Sequence, residues 1–149
     1  MGNFFRQGVA GACVAAAVLP LHPAAAGTAG EAEDRVVHRT IVHYVAIRTF
    51  LPEKLCASAS APVRAEVAAV VQRFRARFPE LVRLAESSPL FDEANRPNLQ
   101  TVREYETRTP QEHDETCAQL RNEIAVDLNG EQVYFDQWTR ELRRQLRRP

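Results

Sequence analysis

The sequence predicts an all-α fold: a compact, bundle-like domain of about five helices with one intramolecular disulfide, preceded by a signal peptide. Three observations predict it. Apolar residues recur at intervals of three and four along most of the chain, prolines mark the ends of these repeats, and only two cysteines follow the N-terminal apolar segment. Of the 149 residues, 45% are hydrophobic and 26% are charged, as in an ordinary globular domain.

The first 26 residues differ in character from the rest of the chain. Arg6 precedes an apolar run over 8–21, and three alanines at 24–26 supply small residues for cleavage. This order predicts a secretory signal peptide over 1–26, a single helical domain over 27–149, and a soluble bacterial protein that is periplasmic or secreted. The run is shorter than the roughly 20 residues of a membrane-spanning helix, so we expect no transmembrane helix. Cys13 lacks the bulky aliphatic residue that a lipidation site has three positions upstream.

Signal cleavage leaves two cysteines, Cys56 and Cys117, in an oxidising compartment. Only one intramolecular pairing is then possible, and we expect that disulfide. Two free thiols or an intermolecular bridge are the alternatives. Because the enclosed loop is long, the chain-entropy model assigns such a bridge on the order of 4 kcal/mol of stability.

Proline positions set the expected bounds of the first helices. A first helix is predicted to start within 27–33, where Thr28 and Glu31 have the spacing of a capping box, and to continue through 36–51. Pro52 should end it at or before the preceding residue, so that Cys56 lies in a turn or short helical piece. Pro62 opens the most clearly amphipathic helix, and Pro79 either kinks that helix or begins a new one. Its apolar stripe consists of Val63, Val67, Val70, Val71, Phe74 and Phe78.

The segment over 87–97 is predicted to be a loop, because Pro89 and Pro97 lie within it. A short helix is expected over 98–109. The last helix is amphipathic, and its apolar stripe consists of Phe135, Trp138, Leu142 and Leu146.

The helix that carries Cys117 is well marked at its start. Thr109 and Glu112 have the spacing of a capping box, and a proline occupies the first helical position between them. Cys117 lies on the apolar stripe of this helix and should face the core. Asn129 and Gly130 are expected to end the helix in the left-handed conformation.

A metal site is conceivable near His113, because His113 and Cys117 lie one helical turn apart. Structural zinc requires a second matching pair of ligands. The other candidates, His38 and His43, are five residues apart and project from different faces of a helix. A solvated helix start, where acidic residues suit the helix dipole, is the favoured interpretation. We therefore predict no metal and no cofactor.

The C-terminal helix carries a local positive patch in a chain without net charge, since Lys plus Arg and Asp plus Glu both number 19. This candidate basic interaction patch consists of Arg140, Arg143, Arg144, Arg147 and Arg148. One interpretation is a solvated face that complements the helix dipole. The other is a docking surface for an anionic membrane or an acidic protein. Nucleic acid is not expected as a partner of an exported domain.

No catalytic motif can be placed on the sequence, which favours a non-enzymatic protein over an enzyme. The hypothesis is a small exported helical interaction module, of the inhibitor, immunity-protein or chaperone type, that binds another envelope or secreted protein. The alternative is a periplasmic metal or small-ligand binder, or a helical enzyme whose site is assembled from distant residues. Candidates for such a site are Tyr44, Arg48, Tyr105 and His113. The pattern favours no particular oligomeric state.

Overall fold

The computed structural model describes residues 29–130 and 132–148, so the predicted signal peptide lies outside the described residues. Every regular element within them is helical, which confirms the all-α prediction. The elements are α1 (Ala29–Arg48), α2 (Phe50–Leu55), a 3₁₀ turn (Cys56–Ser58), α3 (Ala61–Arg77), α4 (Pro79–Glu86), α5 (Phe91–Tyr105), α6 (Pro110–Leu128) and α7 (Gln132–Leu146).

The seven α-helices outnumber the predicted five because two segments divide at prolines. As predicted, α1 ends before Pro52. The next helix, α2, begins at once and has Pro52 in its first turn. The missing N–H of proline breaks no intrahelical hydrogen bond at that position. Thr49 forms the break, and its buried hydroxyl donates to the Val45 carbonyl at 3.0 Å. Phe78 forms the second break, with φ −125° and ψ 53°, and Pro79 begins α4 as the first of its residues.

The loop predicted over 87–97 is wrong. Only a short turn separates α4 from α5, and Pro97 lies inside α5. Proline removes one backbone hydrogen bond from a helix interior, but Pro97 is exposed, whereas Ala94, Asn95 and Asn98 on the opposite side are buried. Packing of this buried side against α1 and α2 outweighs the helix-breaking effect of Pro97. The helix expected to end at 109 stops at Tyr105 instead.

The start of α6 confirms the predicted capping box. The Glu112 carboxylate accepts the Thr109 amide at 2.8 Å, and the Thr109 hydroxyl accepts the Glu112 amide at 3.3 Å. The end differs from the prediction, because Asn129 keeps right-handed angles of φ −89° and ψ −4°. Its amide bonds back to the carbonyl of Val126, so a simple turn closes the helix without a left-handed residue.

The predicted disulfide is confirmed: Cys56 in the 3₁₀ turn is bonded to Cys117 in α6, with a Cα–Cα distance of 5.8 Å. Both residues are buried in a single apolar core, so the bond joins two elements through the interior. Around it, α6 packs chiefly on α3, α5 on α1 and α2, and α7 on α4 and α1. Within the described ranges, no helix combines the length and apolar character needed to cross a bilayer.

Candidate interaction surface

Phe135 fixes the orientation of α7 on the rest of the protein. Its ring lies 4.1 Å from that of Phe78, 6.0 Å from that of Phe74 and 5.9 Å from that of Tyr44, measured between centroids. Leu142, two turns further on, is fully buried. These two residues hold one side of α7 against α1, α3 and α4. The residues on the other side of α7 therefore face outward.

Three large apolar side chains remain exposed where α6 meets α7. Val126 is 70% exposed, Val133 is 73% exposed and Tyr134 is 43% exposed. Two of them border a shallow depression of about 210 Å³, which we call the aromatic depression. It is lined by Tyr44, Val126, Asp127, Gly130, Tyr134 and Phe135.

Ring stacking makes the wall of the aromatic depression rigid. The Trp138 ring lies 4.1 Å from the Tyr134 ring and 4.8 Å from the Tyr44 ring, between centroids. Offset and edge-to-face arrangements of this kind add roughly 0.5–1.5 kcal/mol per pair beyond the area that they bury. The aromatic side chains are therefore held in place before anything binds.

An ion pair between α1 and α6 supplies the polar edge of the depression. Arg48 donates through Nε to the Asp127 carboxylate, and its guanidinium lies 5.0 Å from the centre of the Tyr44 ring. Burial and the neighbouring Asp127 carboxylate raise the pKa of the Tyr44 hydroxyl well above its ordinary value. The Tyr44 hydroxyl thus already has the Asp127 carboxylate as its hydrogen-bond partner at this edge.

Three of the five arginines in the predicted basic patch are ion-paired within the protein. The pairs are Arg143 with Glu80, Arg144 with Glu141 and Asp34, and Arg148 with Asp34. Arg143 Nε lies 2.6 Å from Glu80, and this contact holds the pKa of the Glu80 carboxyl below its usual value. The pairs anchor these arginines to α1 and α4. Glu141 is a local partner, three residues from Arg144, whereas Asp34 and Glu80 come from positions too far along the chain to be read as partners.

Arg140 and Arg147 form no ion pair with any described residue, and both are exposed. Together with the two guanidinium groups of Arg143 and Arg144 they line a shallow depression of about 410 Å³. Arg140, Arg144 and Arg147 also belong to a row of exposed residues that recurs at intervals of four and three along α7. This row, the outer α7 stripe, consists of Val133, Gln137, Arg140, Arg144 and Arg147.

The sequence did not reveal a contact between His38 and Ser88. His38 Nε2 lies 2.8 Å from Ser88 Oγ, although the two residues are 50 positions apart. Ser88 is buried in the turn before α5, and its hydroxyl also accepts the Leu90 amide at 3.1 Å. His38 faces a depression of about 480 Å³ that Arg148 also lines. Burial lowers the pKa of His38, with Glu141 acting weakly in the opposite direction.

The other sequence candidates form two pairs. Arg48 lies over the Tyr44 ring, and the His113 ring lies 6.3 Å from the Tyr105 ring. Tyr44 lines the aromatic depression, whose lining includes neither Tyr105 nor His113. The sulfur of Cys117 is bonded to Cys56, so it is not a thiolate ligand beside His113. No three His, Cys, Asp or Glu side chains cluster as a metal site in the described part of the chain.

No protein-family model matches the chain, and no curated protein or solved structure is significantly similar to it.

Proposed function

We propose that this chain is a small exported helical protein without enzymatic activity that binds another envelope or secreted protein, in the manner of an inhibitor, immunity protein or chaperone. The observation that carries the proposal is the pair of exposed side chains Val126 and Tyr134, which line a rigid aromatic depression, with exposed Val133 next to Tyr134 in the chain. Contiguous apolar side chains at a surface are typical of sites that a partner covers.

The composition of this surface supports a protein partner. Tyrosine, tryptophan and arginine dominate the residues that contribute most to protein–protein binding, and α7 presents all three within a few turns. Fully burying one valine contributes roughly 1.5–3 kcal/mol. Because Tyr134 and Trp138 are already stacked, little side-chain entropy remains to be lost on binding.

Two features support export as the setting for this interaction. The N-terminal 26 residues have the pattern of a cleaved signal peptide, and the Cys56–Cys117 bond suits an oxidising compartment. We propose a periplasmic or secreted location on these grounds. Recovery of the protein in the periplasmic or secreted fraction, with its N-terminus near residue 27, is the expected outcome of fractionation and N-terminal sequencing.

Site-specific photocrosslinking tests the interaction itself. A photoreactive amino acid replaces Gln137, beside the cluster, in the full chain expressed in the source organism, and a second version carries it at Val36. Val36 is 63% exposed on α1 and serves as the matched control. We expect one discrete crosslinked protein from position 137 and none from position 36.

A charge in the cluster should then abolish the crosslink. Val126→Glu and Val133→Glu introduce a carboxylate into the surface without touching the core, and Leu99→Glu, at a residue 40% exposed on α5, is the control. We expect the first two substitutions to remove the crosslink from position 137 and the third to leave it. Equal crosslinking at positions 36 and 137, or none at either, contradicts the proposal.

One observation favours a second candidate, a small-ligand binder. The depression beside His38 has a volume of about 480 Å³, within the range of small-molecule sites, and includes Asp34, Arg35 and Arg148. Native mass spectrometry of the gently purified protein tests it. A bound small molecule that is retained by the wild type and lost on Arg35→Glu supports the ligand binder over the interaction module.

A further inference from the structure

We infer that the outer α7 stripe binds side-chain carboxylates, so that the partner presents an acidic segment with an apolar residue at one end. This inference rests on the proposed function and specifies the chemistry of its partner. The stripe begins at Val133, beside the aromatic depression, and ends in the arginines. A partner that covers both Val133 and the arginines must present apolar residues at one end and acidic residues along the rest of its length.

The stripe has the geometry of a continuous binding ridge. Its five residues recur at intervals of four, three, four and three, and all are exposed. From Val133 to Arg144 it runs about 16 Å, given a helical rise of about 1.5 Å per residue, and Arg147 follows in the turn directly after the helix. The opposite side of α7 is held in the core by Phe135 and Leu142, so the ridge is rigid and faces away from the protein.

The charge on the ridge is positive and only partly compensated. The five arginines of the basic patch meet three carboxylates, those of Asp34, Glu80 and Glu141. Arg83 also lies 3.9 Å from Glu80, so the negative charge of Glu80 is shared between Arg83 and Arg143. Arg140 and Arg147 thus form no ion pair with a carboxylate among the described residues, and Arg147 contributes only the smallest part of the lowered pKa of Glu80.

The paired arginines prepare the site for further carboxylates. Arg144 is held by Glu141 at 2.5 Å and by Asp34 at 2.8 Å, and Arg143 by Glu80 at 2.6 Å. A guanidinium fixed in this way loses less rotamer freedom on binding. The Nε and Nη2 donors are taken by Glu80 in Arg143 and by Glu141 in Arg144, which leaves Nη1 of each guanidinium for a carboxylate of the partner.

The distribution of apolar residues favours protein carboxylates over a lipid surface. A helix that lies on a membrane buries its apolar face among the lipids. The apolar face of α7 is already occupied by the protein core, and after Val133 the outer stripe is entirely polar. Apart from Val133 and its neighbour Tyr134, the ridge therefore offers groups that bind anions and too little apolar surface to bury among lipids.

Binding to defined probes tests this inference. The first probe is a synthetic helical peptide with glutamate at every third or fourth position and leucine near one end. Its matched control has glutamine in place of glutamate. The third and fourth probes are phosphatidylglycerol vesicles and inorganic phosphate. The protein variants are Arg140→Glu/Arg147→Glu and, as control, Arg73→Glu/Arg96→Glu, at exposed arginines on α3 and α5 without an ion pair to described residues.

We expect the full mature chain to bind the glutamate peptide at low salt, with affinity that falls as salt rises. The Arg140/Arg147 variant should bind it at least tenfold more weakly, and the Arg73/Arg96 variant within about twofold of the wild type. Equal binding of the glutamate and glutamine peptides overturns the inference. So does preferential binding of vesicles or phosphate, or equal weakening by the control variant.

The crosslinking experiment separates failure of this inference from failure of the proposed function. In one outcome, the Arg140/Arg147 variant keeps the crosslink from position 137, whereas Val126→Glu loses it. The proposed interaction then stands, and the inference that the partner presents an acidic segment is overturned. If both variants lose it, the crosslinked peptide of the partner should be rich in Asp and Glu. A basic or neutral crosslinked peptide overturns the inference.

Discussion

His38 and Ser88 join α1 to the turn before α5 through one hydrogen bond. No local pattern connects two residues 50 positions apart, so sequence reasoning could identify His38 only as a histidine near an apolar stripe. The structure gives it a role, because a half-buried imidazole beside a buried hydroxyl is held in its neutral form. Its protonation state therefore couples to stability.

His38 should make the protein less stable in mild acid. Its pKa is lowered in the folded protein, mainly by burial, so the unfolded chain binds the proton more readily. The free energy of unfolding should fall as the pH drops below about 6.5, the ordinary histidine value. Urea unfolding of wild type and His38→Gln between about pH 7.5 and pH 5.5 measures this, and the variant should show the shallower decline.

The chosen pH range isolates the histidine from the paired carboxylates. Asp34, Glu80 and Glu141 have lowered pKa values, because arginines bond to them, so their contribution is lost only as the pH falls below about 4.5. Identical pH dependence of wild type and His38→Gln above pH 5 would show that His38 is not the group responsible.

At the scale of helices, α7 shows what periodicity can and cannot predict. The repeat of apolar residues correctly identified Phe135 and Leu142 as core residues, because burial follows the helical period. The same pattern could not show that Tyr134 borders a depression, since that depends on Val126 from α6. The sequence also did not predict that α5 continues through Pro97, where packing of the buried side of the helix outweighs the helix-breaking effect of proline.

Adjacent residues on α7 should differ sharply in their contribution to stability. Phe135 is buried and lies within 6.0 Å of five other aromatic rings, between centroids, so Phe135→Ala should cost about 3–5 kcal/mol. Tyr134 is substantially exposed, and Tyr134→Ala should cost about 1 kcal/mol or less. Urea denaturation followed by circular dichroism measures both. Similar losses from the two substitutions would place the core on a different side of α7.

At the scale of the whole molecule, the basic patch illustrates why a site is harder to predict than a fold. The sequence shows five arginines together but not which of them are compensated. Arg143 pairs with Glu80, which lies 63 residues away in the sequence, and Arg144 pairs with Asp34, which lies 110 residues away. Only the arrangement of α1, α4 and α7 distinguishes Arg140 and Arg147 from their neighbours. The Cys56–Cys117 pairing could be predicted without such information, because only one intramolecular pairing remains once the predicted signal peptide, with Cys13, is removed.

The Cys56–Cys117 bond should supply a large share of the stability of the folded protein. It closes a loop spanning 61 positions, for which the chain-entropy model gives about 4 kcal/mol. A domain of this size is typically stable by about 5–15 kcal/mol in total. Cys56→Ala/Cys117→Ala should therefore lower the urea midpoint strongly. Its unfolding should also depend more steeply on urea, because the unlinked chain exposes more surface.

Reduction of the wild type provides the matched control for that variant. Both cysteines are almost completely inaccessible to solvent, so a reductant should cleave the bond slowly under native conditions and rapidly once urea opens the core. Wild type reduced in urea should then unfold at nearly the same midpoint as the double alanine variant. If the variant instead loses less than about 1 kcal/mol, the non-covalent contacts of α6 with α3 and with the 3₁₀ turn hold this part of the fold together, and the disulfide is dispensable for the fold.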